Sequence, residues 1–166
     1  TMSAVASAFS NFASMPAQQN ETLNVVEVVE LAMDIFNEEY IEFHSDSPEI
    51  ISKIDRTQLI RIITNLVKNA VQSIPEKRPA QISIHLYSDH TDVVIEVNDN
   101  GSGITKEIED RIFEPKFTTK TSGMGLGLPM IKNMIDTYNG SISFSSIIDK
   151  GSQFTVRFPK HFTDEV

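Results

Sequence analysis

Asp99-Asn100-Gly101-Ser102-Gly103 opens the stretch that decides this chain, and Gly123-Met124-Gly125-Leu126-Gly127-Leu128 closes it. Between them lies Phe113-Glu114-Pro115-Lys116-Phe117-Thr118-Thr119-Lys120. Glycine accepts positive φ, so successive N–H groups can turn toward one point and hold an anion. Lys120, Thr118 and Thr119 add a positive charge and two hydroxyls within reach of a phosphate. Either glycine cluster alone also marks an ordinary turn. The two in this order, behind an amphipathic helix at 56–74, are much more specific.

That helix is the strongest periodic segment. Asp55 is a natural N-cap with Gln58 three residues on. Leu59, Ile62, Ile63, Leu66, Ala70 and Ile74 form the apolar face. Gln58, Arg61, Asn65, Lys68, Asn69 and Gln72 form the opposite one, where Asn65 and Asn69 stand one turn apart. Next come two strictly alternating runs, 81–88 and 92–98, joined at Asp89-His90-Thr91 as a hairpin. The second run places Asp99 at a strand end beside a glycine loop, a common situation for a ligand site. A short helix is expected around 106–112 within a mobile cover at 104–122. A helix at 128–139 tolerates Pro129 in its first turn and ends at Asn139-Gly140. Runs at 141–146 and 153–158 form a second hairpin around Asp149-Lys150-Gly151.

Upstream, 24–38 reads as an amphipathic helix with the stripe Val25, Val28, Val29, Ala32, Ile35 and Phe36, opened by Asn24 and Glu27. Tyr40 to His44 alternates as a short strand, and 45–48 is a turn. Residues 1–21, with Val5, Phe9 and Phe12 before Met15-Pro16, read as the end of a helix whose partners lie elsewhere, or as a linker. The domain proper is expected over 22–159, with 160–166 a tail. The architecture expected is an α/β two-layer sandwich of α+β type. A mixed sheet of about five strands carries the three main helices on one face.

Composition sets the outer limits. The chain has 166 residues, 40% hydrophobic, which suffices for one domain with a real core. It has no cysteine, which excludes disulfides and thiolate-ligated metals. No apolar run approaches membrane-spanning length, and the uncharged start is a poor signal peptide. The net charge is −9, and all of it sits in residues 1–52, which carry acids but no Lys or Arg. An acidic first part, with a remainder whose charges balance, argues against a nucleic-acid partner.

Three features therefore converge on one chemistry. Glycines at a helix start aim N–H donors and the positive end of a helix dipole at a site. The Asn65–Asn69 pair offers neutral oxygen ligands of the kind Mg²⁺ accepts alongside phosphate oxygens. The Asp99 carboxylate can accept from an exocyclic amine such as that of adenine. Together these point to ATP with Mg²⁺.

The residues then show a resemblance. Asn65-Leu66-Val67-Lys68-Asn69-Ala70 resembles the N box of sensor histidine kinase catalytic domains, in the superfamily shared with gyrase, mismatch-repair ATPases and heat-shock chaperones. Asp99 to Gly103 resembles the first glycine box, Phe113 to Lys120 the F box, Gly123 to Leu128 the second glycine box and Gly151 to Phe154 the last. The 9–16 stretch and Thr118-Thr119-Lys120 are similar to nitrogen-regulation-type sensor kinases.

The resemblance implies a Bergerat-type ATP-binding fold and a set of roles. Asn69 would coordinate Mg²⁺ with Asn65 beside it, and Asp99 would bind the adenine amino group. Gly101 and Gly103 would let the chain pass under the base. Thr118, Thr119 and Lys120 would sit near the phosphates, with Gly123, Gly125 and Gly127 shaping the loop and Leu126 and Leu128 donating backbone N–H groups. Phe113 and Phe117 would pack the lid. Gln72 and Ser73 stand where many relatives carry a basic or aromatic residue near the phosphates.

ATP-hydrolysing relatives typically carry a glutamate base four residues before the Mg asparagine; here that residue is Asn65. An amide cannot take a proton from water near neutral pH, whereas neutral histidine is already nucleophilic. The implied reaction is γ-phosphoryl transfer to a histidine. None of His44, His85, His90 and His161 has the acceptor context, so the acceptor is expected on separate dimerisation helices. A response regulator would be the downstream partner, the parent a homodimer and this chain a monomer. The parent would be membrane-anchored, with this domain on the cytoplasmic side. A nucleotide-binding module without transfer and a superfamily ATPase are the competing readings.

Overall fold

The fold is taken from a computed structural model that describes residues 18–114 and 124–160. Its elements run β1 (Asn20–Asn24), α1 (Val25–Met33), β2 (Ile41–Ser45), β3 (Ile51–Asp55), α2 (Arg56–Gln72), β4 (Ile82–Ser88), β5 (Asp92–Asp99), α3 (Lys106–Glu109), α4 (Met124–Asp136), β6 (Ser141–Ile147) and β7 (Gly151–Pro159). The main sheet has five strands in the order β2-β4-β5-β7-β6. Among the described residues β2–β4 is its one parallel pairing; β4–β5, β5–β7 and β6–β7 are antiparallel. This is the expected mixed five-stranded α/β fold, with the helices packed on one face.

The alternation in the sequence explains the sheet. Along β4, Ile82, Ile84 and Leu86 are buried while Ser83, His85 and Tyr87 are not. Val93, Ile95 and Val97 of β5 and Phe154, Val156 and Phe158 of β7 join the same buried layer. Against it pack Leu59, Ile62, Ile63 and Leu66 of α2, Ile131, Met134 and Ile135 of α4, and the valines of α1. The other face is mainly polar, with Ser83, His85, Tyr87, Glu96 and Arg157 not buried, and carries Val94 buried among them.

Several boundaries move, each for a local reason. Helix α1 ends at Met33, not at residue 38, because the chain tightens into i→i−3 bonds (Ile35 N–H to Ala32 O, Phe36 N–H to Met33 O). That turn swings the chain back so that Ile41 can pair with Ile82. Ile35 is consequently exposed, not part of the core stripe. Helix α2 ends at Gln72, and α3 is a single turn, Lys106–Glu109. Helix α4 begins at Met124 and ends at Asp136, four residues earlier than expected at its start, so Pro129 lies one turn inside it. Asn139 follows at φ 59°, and the Gly140 N–H closes on Ile135 O.

Two strands were absent from the sequence reading. β1 and β3 pair antiparallel as a separate two-stranded sheet, Asn20 opposite Asp55 and Asn24 opposite Ile51. Neither segment alternates clearly enough to announce itself. Asp55 holds both sides of this join: Oδ1 accepts from Gln58 N and Oδ2 from Gln19 N. Gln58 is buried, contrary to its assignment to the polar face, because its Oε1 meets the buried Tyr138 hydroxyl at 2.7 Å.

Candidate functional site

Helix α2 supplies the spine of the site. Asn65, Asn69 and Ser73 follow at four-residue intervals, so they line one face over about 12 Å of helix rise. The start of α4 lies against the first two. A methyl placed on Gly127 would sit 3.7 Å from Asn65 Oδ1 and 3.9 Å from Asn69 Nδ2. The Asp99 loop lies against the third, where a methyl on Gly101 would come within 2.2 Å of Ser73 Oγ. Glycine at 101 and 127 is thus what leaves room along the spine.

Asn65 and Asn69 are not equivalent. Asn65 Nδ2 donates to Arg61 O, one turn back, at 2.9 Å, which fixes its amide and turns Oδ1 toward Gly127. Asn69 Nδ2 is buried with no hydrogen-bond partner. A buried amide terminus without a partner is costly. The two ends of an amide are interchangeable by a half-turn, which would present Oδ1 at the same place. A neutral oxygen there, beside a helix N-terminus suited to phosphate, fits Mg²⁺ held together with a nucleotide.

Asp99 is anchored through one oxygen. Its Oδ1 accepts from Gly101 N at 2.8 Å and from Ser152 N at 3.3 Å. Burial raises the Asp99 pKa above its usual value, and the N–H groups of Gly101 and Ser152 and the Ser73 hydroxyl offset part of that rise. Both backbone donors fall on Oδ1, so Oδ2 takes neither of them and can accept from a ligand donor. Gly151 makes the approach possible: it has φ 130°, and a Cβ there would lie 1.9 Å from Asp99 O.

The loop after Asp99 is held on three sides. Ser102 N and Oγ both donate to Ser73 O. Arg78 Nη1 donates to Asn100 O and Gly101 O, each at 2.7 Å. The Asn100 side chain bridges Gln81 N and Pro79 O. Gly103 has φ 80°, and the β6–β7 turn seals the exit through Asp149 N to Ser102 O.

Arg78 escaped the sequence reading as a site residue, and Ser152, inside the last box, was given no role there. A turn arginine aimed at two carbonyls leaves no periodic signal, and Ser152 meets Asp99 only through the β5–β7 pairing. Ser73 lies against the Asp99 loop, at the far end of the spine from Gly127.

Among the remaining expected site residues, Gly125, Leu126, Gly127 and Leu128 all fall inside α4, not in a loop ahead of it. Leu128 has its side chain buried in the core, and as the fifth residue of α4 its N–H belongs to the helix's own ladder, so the expected backbone donor at this position does not face a ligand. Thr118, Thr119, Lys120 and Gly123, with Phe117, lie outside the described residues, as do the apolar residues expected at 5–16. Phe113 packs toward Phe144, with ring centroids 6.1 Å apart.

Residues 54–161 match the family described as histidine kinase-, DNA gyrase B- and HSP90-like ATPases. The chain belongs to this family. Sporulation kinase A of Bacillus subtilis is 40% identical over 106 residues, 64% of this chain and 17% of that protein. The sensor histidine kinase ZraS of Salmonella typhimurium is 32% identical over 146 residues, 84% of this chain and 31% of that protein. This chain thus corresponds to less than a third of the length of either relative. The nucleotide-free catalytic domain of the histidine kinase ThkA superposes with a TM-score of 0.77 at 29% identity, covering 86% of this chain and 97% of that one. The similarity to ThkA's catalytic domain therefore runs through the whole ATPase module. No helix among the described residues is long and apolar enough to cross a membrane.

Proposed function

We propose that this chain is the catalytic domain of a sensor histidine kinase, transferring the γ-phosphoryl group of ATP to a histidine on a dimerisation domain for relay to a response regulator. One observation carries the choice of reaction within the family. The residue four before Asn69 is Asn65, and its amide is committed to Arg61 O. No carboxylate stands there to take a proton from water, which disfavours hydrolysis and leaves transfer to a nucleophile that needs no base.

The chain's own residues bind and position. Asp99 accepts from the adenine amino group through the oxygen that Gly101 and Ser152 leave free. Gly101 and Gly103 let the backbone run beneath the base. The first turn of α4, with Gly125, Gly127 and the N–H group of Leu126, is assigned to the phosphates, and Gly123, Thr118, Thr119 and Lys120 are expected to add further donors and charge. Asn69, with Asn65 beside it, would hold Mg²⁺, whose contribution is to neutralise charge on the phosphate oxygens. Catalysis is then mostly positioning and electrostatics, as phosphoryl transfer generally is. The parent kinase is a membrane-anchored homodimer of the nitrogen-regulation type, this domain lies on its cytoplasmic side, and the chain alone is a monomer. Thr118-Thr119-Lys120 is the support for that finer assignment.

The test is to mix this chain with ATP, Mg²⁺ and a separately produced acceptor-helix domain from the same parent. Acid-labile phosphate on the acceptor histidine is expected. Tight nucleotide binding with no transfer to that acceptor would replace the kinase with a nucleotide-binding module. Steady hydrolysis by the chain alone, abolished in Asn65→Ala, would make it an ATPase.

A further inference from the structure

The polar face of the sheet carries a cluster that the nucleotide site does not use. His44 on β2 and His85 on β4 are direct partners in the parallel ladder. Asp46 follows β2 and is fixed by its own N–H, which donates to Leu86 O. Its Oδ1 lies 3.2 Å from His44 Nε2 and 2.7 Å from His85 Nε2. The three donor atoms all fall within 4.8 Å of one another. Behind them, Glu96 Oε1 stands 3.9 Å from His85 Nδ1. Glu96 is itself oriented, accepting from the Tyr87 hydroxyl at 2.8 Å and from Gln153 Nε2 at 3.4 Å.

We propose that His44, Asp46 and His85 form a divalent transition-metal site, of the zinc class, on the solvent face of the sheet. Metal–nitrogen bonds of about 2.0–2.1 Å put tetrahedral ligands about 3.3 Å apart. The two spacings to Asp46 Oδ1, 3.2 and 2.7 Å, lie near that, the third is within 4.8 Å, and both imidazoles are already aimed at one carboxylate oxygen. A cation replaces the Nε2 protons that now make those contacts. His85 then carries its proton on Nδ1, toward Glu96, in the carboxylate–histidine–metal arrangement that fixes a ligand's ring. Two imidazoles select a borderline metal over Mg²⁺ or Ca²⁺, which prefer all-oxygen shells. Three protein ligands leave a fourth position open to water. The site ties the edge strand β2 to β4 across the parallel pairing of the main sheet. It lies on the face away from the helices, and Glu96 is three residues along β5 from Asp99, about 10 Å. It is therefore independent of the nucleotide reading.

The test uses the whole 166-residue chain, free of nucleotide, titrated with Zn²⁺ by calorimetry and with Co²⁺ by visible absorption. One ion per chain is expected, with the Co²⁺ bands of a tetrahedral site. His44→Ala and His85→Ala should each weaken Zn²⁺ binding by more than about tenfold, and Glu96→Gln by roughly tenfold. His90→Ala, outside the cluster, should change nothing. His44 is 73% exposed, so its substitution leaves the fold intact and the comparison valid even if His85→Ala perturbs the sheet. Unchanged affinity in His44→Ala, or no zinc binding by the wild-type chain, overturns the site.

Discussion

Asp99 is held by one oxygen and buried by its neighbours, and this division sets what its substitution will do. Both backbone donors land on Oδ1, so the amide oxygen introduced by Asp99→Asn would keep them. Burial raises the Asp99 pKa; the stability linked to its proton is present below the unfolded value of about 3.9 and is lost as pH rises through the folded one. At neutral pH the nucleotide-free wild-type protein therefore carries a desolvated charge that Asp99→Asn removes. The variant should melt higher than wild type at pH 7, with the gap closing as pH falls into the carboxylate range. It should bind ATP at least about tenfold more weakly, since one charge-assisted bond is worth about 1.5–3 kcal/mol. Melting curves across pH and a nucleotide titration on the same samples check both halves. At Asn69, whose Nδ2 has no partner, the Asn69→Ala variant should lose Mg²⁺-dependent ATP affinity with little loss of stability. A titration with and without Mg²⁺ reads this directly.

At the scale of elements, the site depends on where glycine lets α4 and the Asp99 loop approach α2. A methyl on Gly127 meets Asn65 and Asn69 at ordinary contact distance, so the fold accepts it. Alanine in a helix is favoured over glycine by about 0.8–1.0 kcal/mol. Gly127→Ala should therefore raise the melting temperature while lowering ATP affinity, because the methyl occupies the gap between α4 and the amide pair. A fall in both would mean that this gap is structural, not ligand space. The Asp99 loop behaves differently: alanine at 101 or 151 would collide with backbone at 2.7 Å or less, so those glycines serve the fold first. The same scale shows what was legible in the sequence. The helix at 56–74 and the first hairpin were readable because their periodicity is imposed by burial on one side. The first turn of α4 was not, since two glycines and a proline argue against a helix there. β1 and β3 were missed because residue type does not follow burial there: in β3, Ser52 and Asp55 are buried while Ile51 is exposed, so no apolar alternation marks the strand.

For the whole molecule, the proposed nucleotide site draws on three parts of the chain, α2, the loop after β5 and the start of α4, and a ligand binding only the folded state stabilises all of it. ATP with Mg²⁺ at 100 times its Kd should add about 2.7 kcal/mol. For a chain of this size that is a shift in melting temperature of roughly 5–11 °C. The shift should vanish in a buffer that chelates Mg²⁺ if Asn69 holds the ion, which a thermal melt with and without chelator tests. Zinc should stabilise by a separate route, additive with the nucleotide, because the His44 cluster and the α2 spine share no residue.

By itself the sequence determined the class of fold, the two glycine clusters, the Asn pair and the strand-end carboxylate, because these depend on local periodicity and short-range spacing. The tertiary structure alone decided that Gly151 and Ser152 close on Asp99, that Arg78 clamps the loop beyond it, and that His44 meets His85. Each of those contacts joins residues brought together by strand register or a turn, and register is set by the packing of the whole sheet, which no local stretch of sequence encodes.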